Sequence, residues 1–201
     1  MYLMQTDQVK KFNFSKNKIF LIIFCIIIIS FTSFLIIKPK NQTKNYKQTQ
    51  YAEIIQEINA KNNANFIHVE KFIIENENIY GTLAALSLAK QYILKNNLEK
   101  AFIQLKTSLK YTKEENLKNI LRLRMSQIKM QQKKNKDAMQ IIEEIKDYAW
   151  KSIVENIKGD IFMKNGNIRL AIQSWEKSKY FEESKTFKEI INMKINEAQK
   201  K

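Results

Sequence analysis

Residues 19–37 read IFLIIFCIIIISFTSFLII, nineteen positions without a charge, closed by Lys38 and Pro39. At about 1.5 Å per residue a helix of this length spans ~28 Å, close to the ~30 Å hydrocarbon core of a bilayer. A cleaved leader would have a shorter apolar stretch, about 7–15 residues, ending in small residues at the cut. Here Ser30, Thr32 and Ser33 are interleaved with Phe31 and followed by Phe34, Leu35, Ile36 and Ile37. A lipid-modified Cys25 is disfavoured because bulky Phe24 precedes it. The stretch reads as a retained membrane helix, with Cys25 buried in lipid as a small hydrophobe that says nothing about redox compartment. It divides the chain into a tail (1–18), an anchor (19–37), a polar Lys/Asn/Gln-rich linker (38–49) and a domain (50–201).

Charge does not orient the anchor. Lys10, Lys11, Lys16 and Lys18 precede it and Lys38, Lys40, Lys44 and Lys47 follow, four against four. The whole chain carries 35 Lys+Arg against 20 Asp+Glu, a net +15. All but three of the basic residues are Lys, the exceptions being Arg122, Arg124 and Arg169. The lysines are scattered rather than gathered on one stripe, and they travel with abundant Ile and Asn. That is the signature of AT-rich coding more than of a nucleic-acid footprint, which favours Arg, so no nucleic-acid partner is expected. Beside the anchor, however, lysines are also what an anionic lipid surface attracts. One Cys rules out an internal disulfide framework, one His a His-rich metal site, and three Gly a collagen-like repeat. Hydrophobic residues at 44% are enough for a core.

Beyond residue 50 the apolar residues recur at helical spacing, as in Ile54, Ile55 and Ile58 or Leu86, Ala89, Tyr92 and Ile93. Polar clusters interrupt them, and no segment alternates with the two-residue period of a strand. The expected fold is all-α, with about eight antiparallel helices after the anchor. Thr112 and Glu115 suggest a capping box for the helix through Leu123.

The helices repeat in pairs. Aligned on Ala101, Ala138 and Ala171, the chain has Ala89, Ser126 and Gly159 twelve positions earlier. Nine positions earlier stand Tyr92, Lys129 and Phe162, and five earlier, at the turn, Asn96, Lys133 and Gly166. Two helices that cross closely need a small side chain at the crossing. Ala, Gly and Ser together fill only 24 of 201 positions, yet they fill all six of these. The alternative is a non-repeating helix bundle with ordinary small contacts. The pattern resembles the tetratricopeptide repeat, a helix–turn–helix unit of about 34 residues. The expected units are 82–115, 119–152 and 152–185, with segments 50–76 and 183–198 capping the ends. Lys129 marks the middle unit as the most degenerate.

In that register the first helix of each unit lines a concave face through Leu86, Lys90 and Ile93, then Leu123, Gln127 and Met130, then Asp160 and Met163. Mixed Met, aliphatic and charged residues suit a peptide- or helix-binding surface, although packing against the capping helices would explain them equally. Catalysis is not expected. His68 is the only His, Cys25 lies in the anchor, and adjacent acidic pairs such as Glu143 and Glu144 diverge on a helix. There is no glycine-rich phosphate loop, no expected cofactor and no metal site.

A closer resemblance lies in VEKFIIENENIYGTLAALSLAKQYILKNNLEKAFIQL (69–105), with EENLKNILRLRMSQI (114–128), YAWKSIVENIKGDIFMKNG (148–166) and MKIN (193–196). With the short tail and single anchor, the chain resembles the YfgM-type ancillary subunits of the bacterial SecYEG translocon. The resemblance implies a non-enzymatic inner-membrane protein with a cytoplasmic N-terminus and a periplasmic repeat domain. Its implied partners are the SecYEG translocon, a PpiD-type membrane-anchored chaperone and exported client polypeptides, with lipid around residues 19–37. A membrane-bound regulator that sequesters a signalling protein in an envelope stress response is the alternative.

Overall fold

A computed structural model describes residues 16–60 and 66–200, with side chains at 23–33, 48–60 and 66–200. Residues 1–15, most of the expected tail, lie outside the described residues. The chain divides into two compact units, Met1–Gln48 and Thr49–Lys201. Among the described residues it is helical, without strands.

α1 runs Lys16–Asn59, so residues 19–37 and the expected linker at 38–49 both have helical backbone. Within 23–33 the large side chains Ile23, Phe24, Ile26, Ile27, Ile28, Ile29 and Phe31 are all exposed. Among the described residues no helix is long and apolar enough to cross a membrane.

The second unit begins with the last turns of α1. It continues through α2 (Ile67–Glu75), α3 (Ile79–Leu94), α4 (Leu98–Tyr111), α5 (Glu115–Gln131), α6 (Asn135–Glu143), a short 3-10 turn at Tyr148–Trp150, α7 (Lys151–Lys164), α8 (Ile168–Phe181) and α9 (Lys185–Gln199). Each helix packs on the next, and the core is a series of clusters between successive helices. Starts are capped by Asn78 and Asn97, whose side chains accept from Tyr80 N (2.9 Å) and Lys100 N (3.1 Å), and by Ser184 at α9. The capping box at Thr112 does not form. Thr112 ends α4, and its hydroxyl donates backward to Ser108 O at 2.9 Å, while α5 starts from Glu114 without a side-chain cap.

Three turns close with the same pair of backbone hydrogen bonds. The backbone N–H of Asn97, Lys134 and Asn167 donates five residues back, to Tyr92 O, Lys129 O and Phe162 O, at 2.8–2.9 Å. The preceding residues, Asn96, Lys133 and Gly166, have φ of 55°, 61° and 77°. This left-handed closure satisfies orphan helix carbonyls and favours Gly or Asn. Lys133 is the misfit, because a Cβ in this region strains the backbone. Lys133→Gly is therefore expected to raise stability by about 0.5–1 kcal/mol, net of the added freedom of the unfolded chain, measured by urea unfolding.

The six small residues sit where the paired helices meet. Ala101, Ser126, Ala138 and Ala171 are 0% exposed, and Ala89 and Gly159 are also buried. Ser126 does more than stay small: its Oγ donates to Ala138 O at 2.8 Å, fastening α5 to α6. A Cβ on Gly159 would overlap Cδ1 and Nε1 of Trp175, a buried ring held by Asp160 Oδ1 (3.0 Å) and Asn156 O (3.2 Å).

Seven residues before the first small column lies a buried polar column that sequence reading missed: Thr82, Asn119 and Ser152. In the outer units it meets hydroxyls from the second helix. Thr82 Oγ1 lies 3.2 Å from Thr112 Oγ1, and Ser178 Oγ donates to Ser152 O at 2.7 Å. In the middle unit α6 ends early and buried Ile145 stands where the others have Ser108 and Ser178. Asn119 Oδ1 accepts from the Arg122 guanidinium at 3.0 Å, but its Nδ2 has no partner among the described residues. Lys129 reaches its aromatic slot by another route. Its ammonium sits 3.8 Å over the Phe102 ring and 3.9 Å from Asp137, so a cation–π contact supplants ring packing.

Glu182 ties the last unit together. Burial pushes its carboxyl up, but the Ser152 hydroxyl (2.6 Å), the N–H groups of Ser184 and Glu183 and the charge of Lys188 outweigh burial and hold it below the ordinary value. A carboxyl depressed in the folded state binds protons more readily when unfolded. Its stabilisation is full above the unfolded value of about 4.5 and is lost as pH falls through the folded one. Glu182→Gln is thus expected to be less stable than the native chain at pH 7 and to converge on it as the carboxyl becomes protonated in acid, in urea titrations.

Candidate functional site

The eight residues expected along one concave face do not come together. Leu86, Lys90, Ile93 and Gln127 line a cavity of about 490 Å3 between α3 and α5, floored by Ala89, Leu105 and Ile128. Met130, Asp160 and Met163 border a separate cavity of about 280 Å3 with Lys194 and Glu197 of α9. Leu123 borders neither and packs with the cluster of Met130, Ile142, Val154, Ile157 and Ile161.

The geometry of a stacked helix explains the split. α5 has a first-helix neighbour on each side, so its concave face has two flanks. Leu123 and Met130 belong to the flank that closes against α7, while Ile120, Arg124, Gln127 and Gln131 form the flank turned toward α3. Leu83 lies one turn before Leu86 and Ile120 two turns before Gln127, so both were legible by helical spacing. Arg124 was not, because it lies one residue off the assumed column.

At the α7 end the face is occupied. Lys194 of α9 donates to both carboxylate oxygens of Asp160 (2.7 and 2.9 Å) and to Asn156 Oδ1 (2.9 Å), and lies 5.7 Å from the Trp175 ring centre. The terminal helix takes the position of a further first helix, and Asp160 serves that internal network. At the α3–α5 end no helix intervenes among the described residues.

The open groove has a simple composition. Leu83 and Leu86 of α3 and Ile93 and Ile120 give apolar walls, Leu83 being 37% exposed, and Lys90 and Arg124 are exposed cations on its rim. Arg124 hydrogen-bonds Gln127 Oε1 at 2.9 Å, and among the described residues neither cation forms an ion pair. The other first-helix arginine, Arg122, is fully engaged with Glu115 (2.6 Å) and Glu144 (3.3 Å). Hydrogen bonds from Arg122 and then Lys118 hold the Glu115 carboxyl below its usual range. Among the described residues no acidic side chain lines the groove.

His68 is exposed on α2 and its Nδ1 donates to Glu57 Oε2 at 2.9 Å, joining α2 to the end of α1. Among the described residues no three His, Cys, Asp or Glu side chains are placed to hold a metal ion. The arrangement offers binding surface.

The family described as a tetratricopeptide repeat-like domain matches residues 10–200. A Buchnera aphidicola (subsp. Schizaphis graminum) protein named ancillary SecYEG translocon subunit is 61% identical over 180 residues, covering 90% of this chain and 93% of the relative. A protein of the same name from Buchnera aphidicola (subsp. Acyrthosiphon pisum) is 48% identical, covering 90% and 94%. One from Escherichia coli K12 is 38% identical over 127 residues, covering 63% and 62%. No solved structure matches the chain.

Proposed function

Because the chain belongs to the family of ancillary SecYEG translocon subunits built on a tetratricopeptide repeat-like domain, we propose that it is a non-catalytic scaffold tethered beside the translocon. Residues 19–37 are the tether, the tail lies in the cytoplasm and the repeat domain in the periplasm, against the inner membrane. There it pairs with a PpiD-type chaperone and helps pass emerging polypeptides to periplasmic chaperones. The observation that carries this reading is the α3–α5 groove, an apolar surface left uncovered where the rest of the concave face is closed by α7 and α9. The tether is supported by the run of exposed large apolar side chains at 23–31, a patch that water disfavours and acyl chains would cover. Tethering confines the domain to a thin layer at the membrane and raises its effective concentration near its partners.

The test is photo-crosslinking in cells from a benzophenone side chain at position 90, with mass spectrometry of the adducts. Translocon and chaperone subunits are expected. Recovery of a cytoplasmic signalling protein alone would replace this reading with the regulator and reverse the topology. A reporter fused after Lys201 that is active only in the cytoplasm would do the same.

A further inference from the structure

Among the described residues the groove between α3 and α5 is bordered by two cations and no carboxylate. We propose that it binds an acidic amphipathic segment of a partner protein, about three helical turns long, through apolar anchors flanked by carboxylates. This rests on the reading of the domain as a protein-binding scaffold and adds the chemistry of what it binds.

The length follows from the walls. Leu83, Leu86, Lys90 and Ile93 occupy one ridge of α3 across ten residues, about 15 Å, and Ile120 to Gln131 run a matching distance on α5. Both ridges follow the i, i+3, i+4, i+7 pattern that a groove presents to a helical ligand. A cavity of about 490 Å3 is within the range of built binding pockets.

The charge follows from what the rim lacks. Elsewhere on the first helices and at the crossing with α9 several cations are paired with carboxylates: Arg122 with Glu115 and Glu144, Lys158 with Glu143 and Glu155, Lys194 with Asp160. Lys90 and Arg124 stand over the same apolar cavity, with no ion pair among the described residues and no carboxylate in the lining. A ligand that seats apolar side chains here also shields these two cations from water, where an incoming carboxylate interacts more strongly than on an open surface. A basic segment would place like charges together at the same spot.

The probe is a fluorescein-labelled fourteen-residue peptide with Leu at i, i+3, i+7 and i+10 and Glu at the flanking positions, alongside versions with Gln or Lys in place of Glu. Fluorescence anisotropy against the full chain in neutral detergent reads the affinities. The Glu peptide is expected to bind at least about fivefold more tightly than the Gln peptide, and the Lys peptide more weakly than either. The difference should shrink in about 0.5 M salt, well above physiological strength. Lys90→Gln with Arg124→Gln should abolish the Glu-over-Gln preference while leaving Gln-peptide binding intact; both side chains are exposed, and circular dichroism checks the fold.

The control removes the same charge elsewhere, by Lys106→Gln with Lys110→Gln on the exposed face of α4, and should keep the preference. The proposal is overturned if the Glu and Gln peptides bind alike or if neither binds. It is equally overturned if both double variants lose the preference to the same extent, since that is the pull of the net +15 alone. Displacement of the peptide by anionic vesicles, or its exclusion by self-association of the chain, would assign the groove to lipid or to a second copy. Failure in cells to crosslink translocon subunits would remove the scaffold reading and leave the peptide selectivity standing.

Discussion

Trp175→Ala is expected to lower stability by roughly 3–5 kcal/mol, the usual cost of emptying a large aromatic site in a core. The ring is 4% exposed and is the common surface of three helices. It lies in α8, packs with Ile191, Ile195 and Ala198 of α9, and donates to Asp160 and the Asn156 carbonyl of α7. Asp160 keeps Lys194 after the ring is gone, so the loss is mainly packing. The ring also accounts for Gly159. With Trp175 present, Gly159→Ala has to push an indole fixed by two hydrogen bonds, at about 1–3 kcal/mol for overpacking. With Trp175 replaced by Ala, the same change meets open space and gains up to about 1 kcal/mol of helix propensity. A double-mutant cycle by urea unfolding of the full chain in neutral detergent therefore expects Gly159→Ala to change sign between the two backgrounds. An equal cost in both would mean that something other than the ring demands glycine there.

The features that were legible in the sequence are those in which a scarce residue type has to recur. Ala89, Ala101, Ser126, Ala138, Gly159 and Ala171 stood out because small residues are rare in a chain rich in Lys, Ile and Asn, and helix crossings tolerate little else. The turn column of Asn96, Lys133 and Gly166 was visible by position, but nothing in a lysine announces a positive φ. Thr112 was misread because a hydroxyl three residues before Glu115 fits a helix start as well as a helix end, and packing against Thr82 decided for the end. The polar column of Thr82, Asn119 and Ser152 was missed for a related reason: Ser, Thr and Asn are read as surface until a partner hydroxyl is found across the helix pair. The residues of the candidate face divide between two cavities and a core cluster. A single column cannot say which flank of α5 points to α3 and which to α7, so Leu123 and Met130 were grouped with Gln127 although they pack the other way.

The middle unit is where one added side chain should do the most damage. Ala138→Leu is expected to cost about 3 kcal/mol or more, at the upper end of overpacking because a hydrogen bond is lost as well. Ala138 is 0% exposed against α5, and its carbonyl accepts Ser126 Oγ at 2.8 Å. Leucine cannot fit without lifting α6, and α6 has little to hold it. It is nine residues long where α4 and α8 have fourteen, it buries only Ala138 and Ile142, and Lys134 caps its start without a side-chain hydrogen bond. The neighbouring Asn119 amide already lacks a partner among the described residues, so no spare polar contact is available to absorb the shift. Hydrogen exchange should localise the effect, with the amides of α6 exchanging faster while those of α3 and α4 keep their protection, since repeats exchange stability chiefly with their neighbours. Ser126→Ala separates the two contributions, because it removes the hydrogen bond without adding volume and should cost about 1 kcal/mol. If Ala138→Leu behaves no worse than Ser126→Ala, the close crossing of α5 and α6 is not what limits this unit, and the spacing of small residues loses its physical basis there.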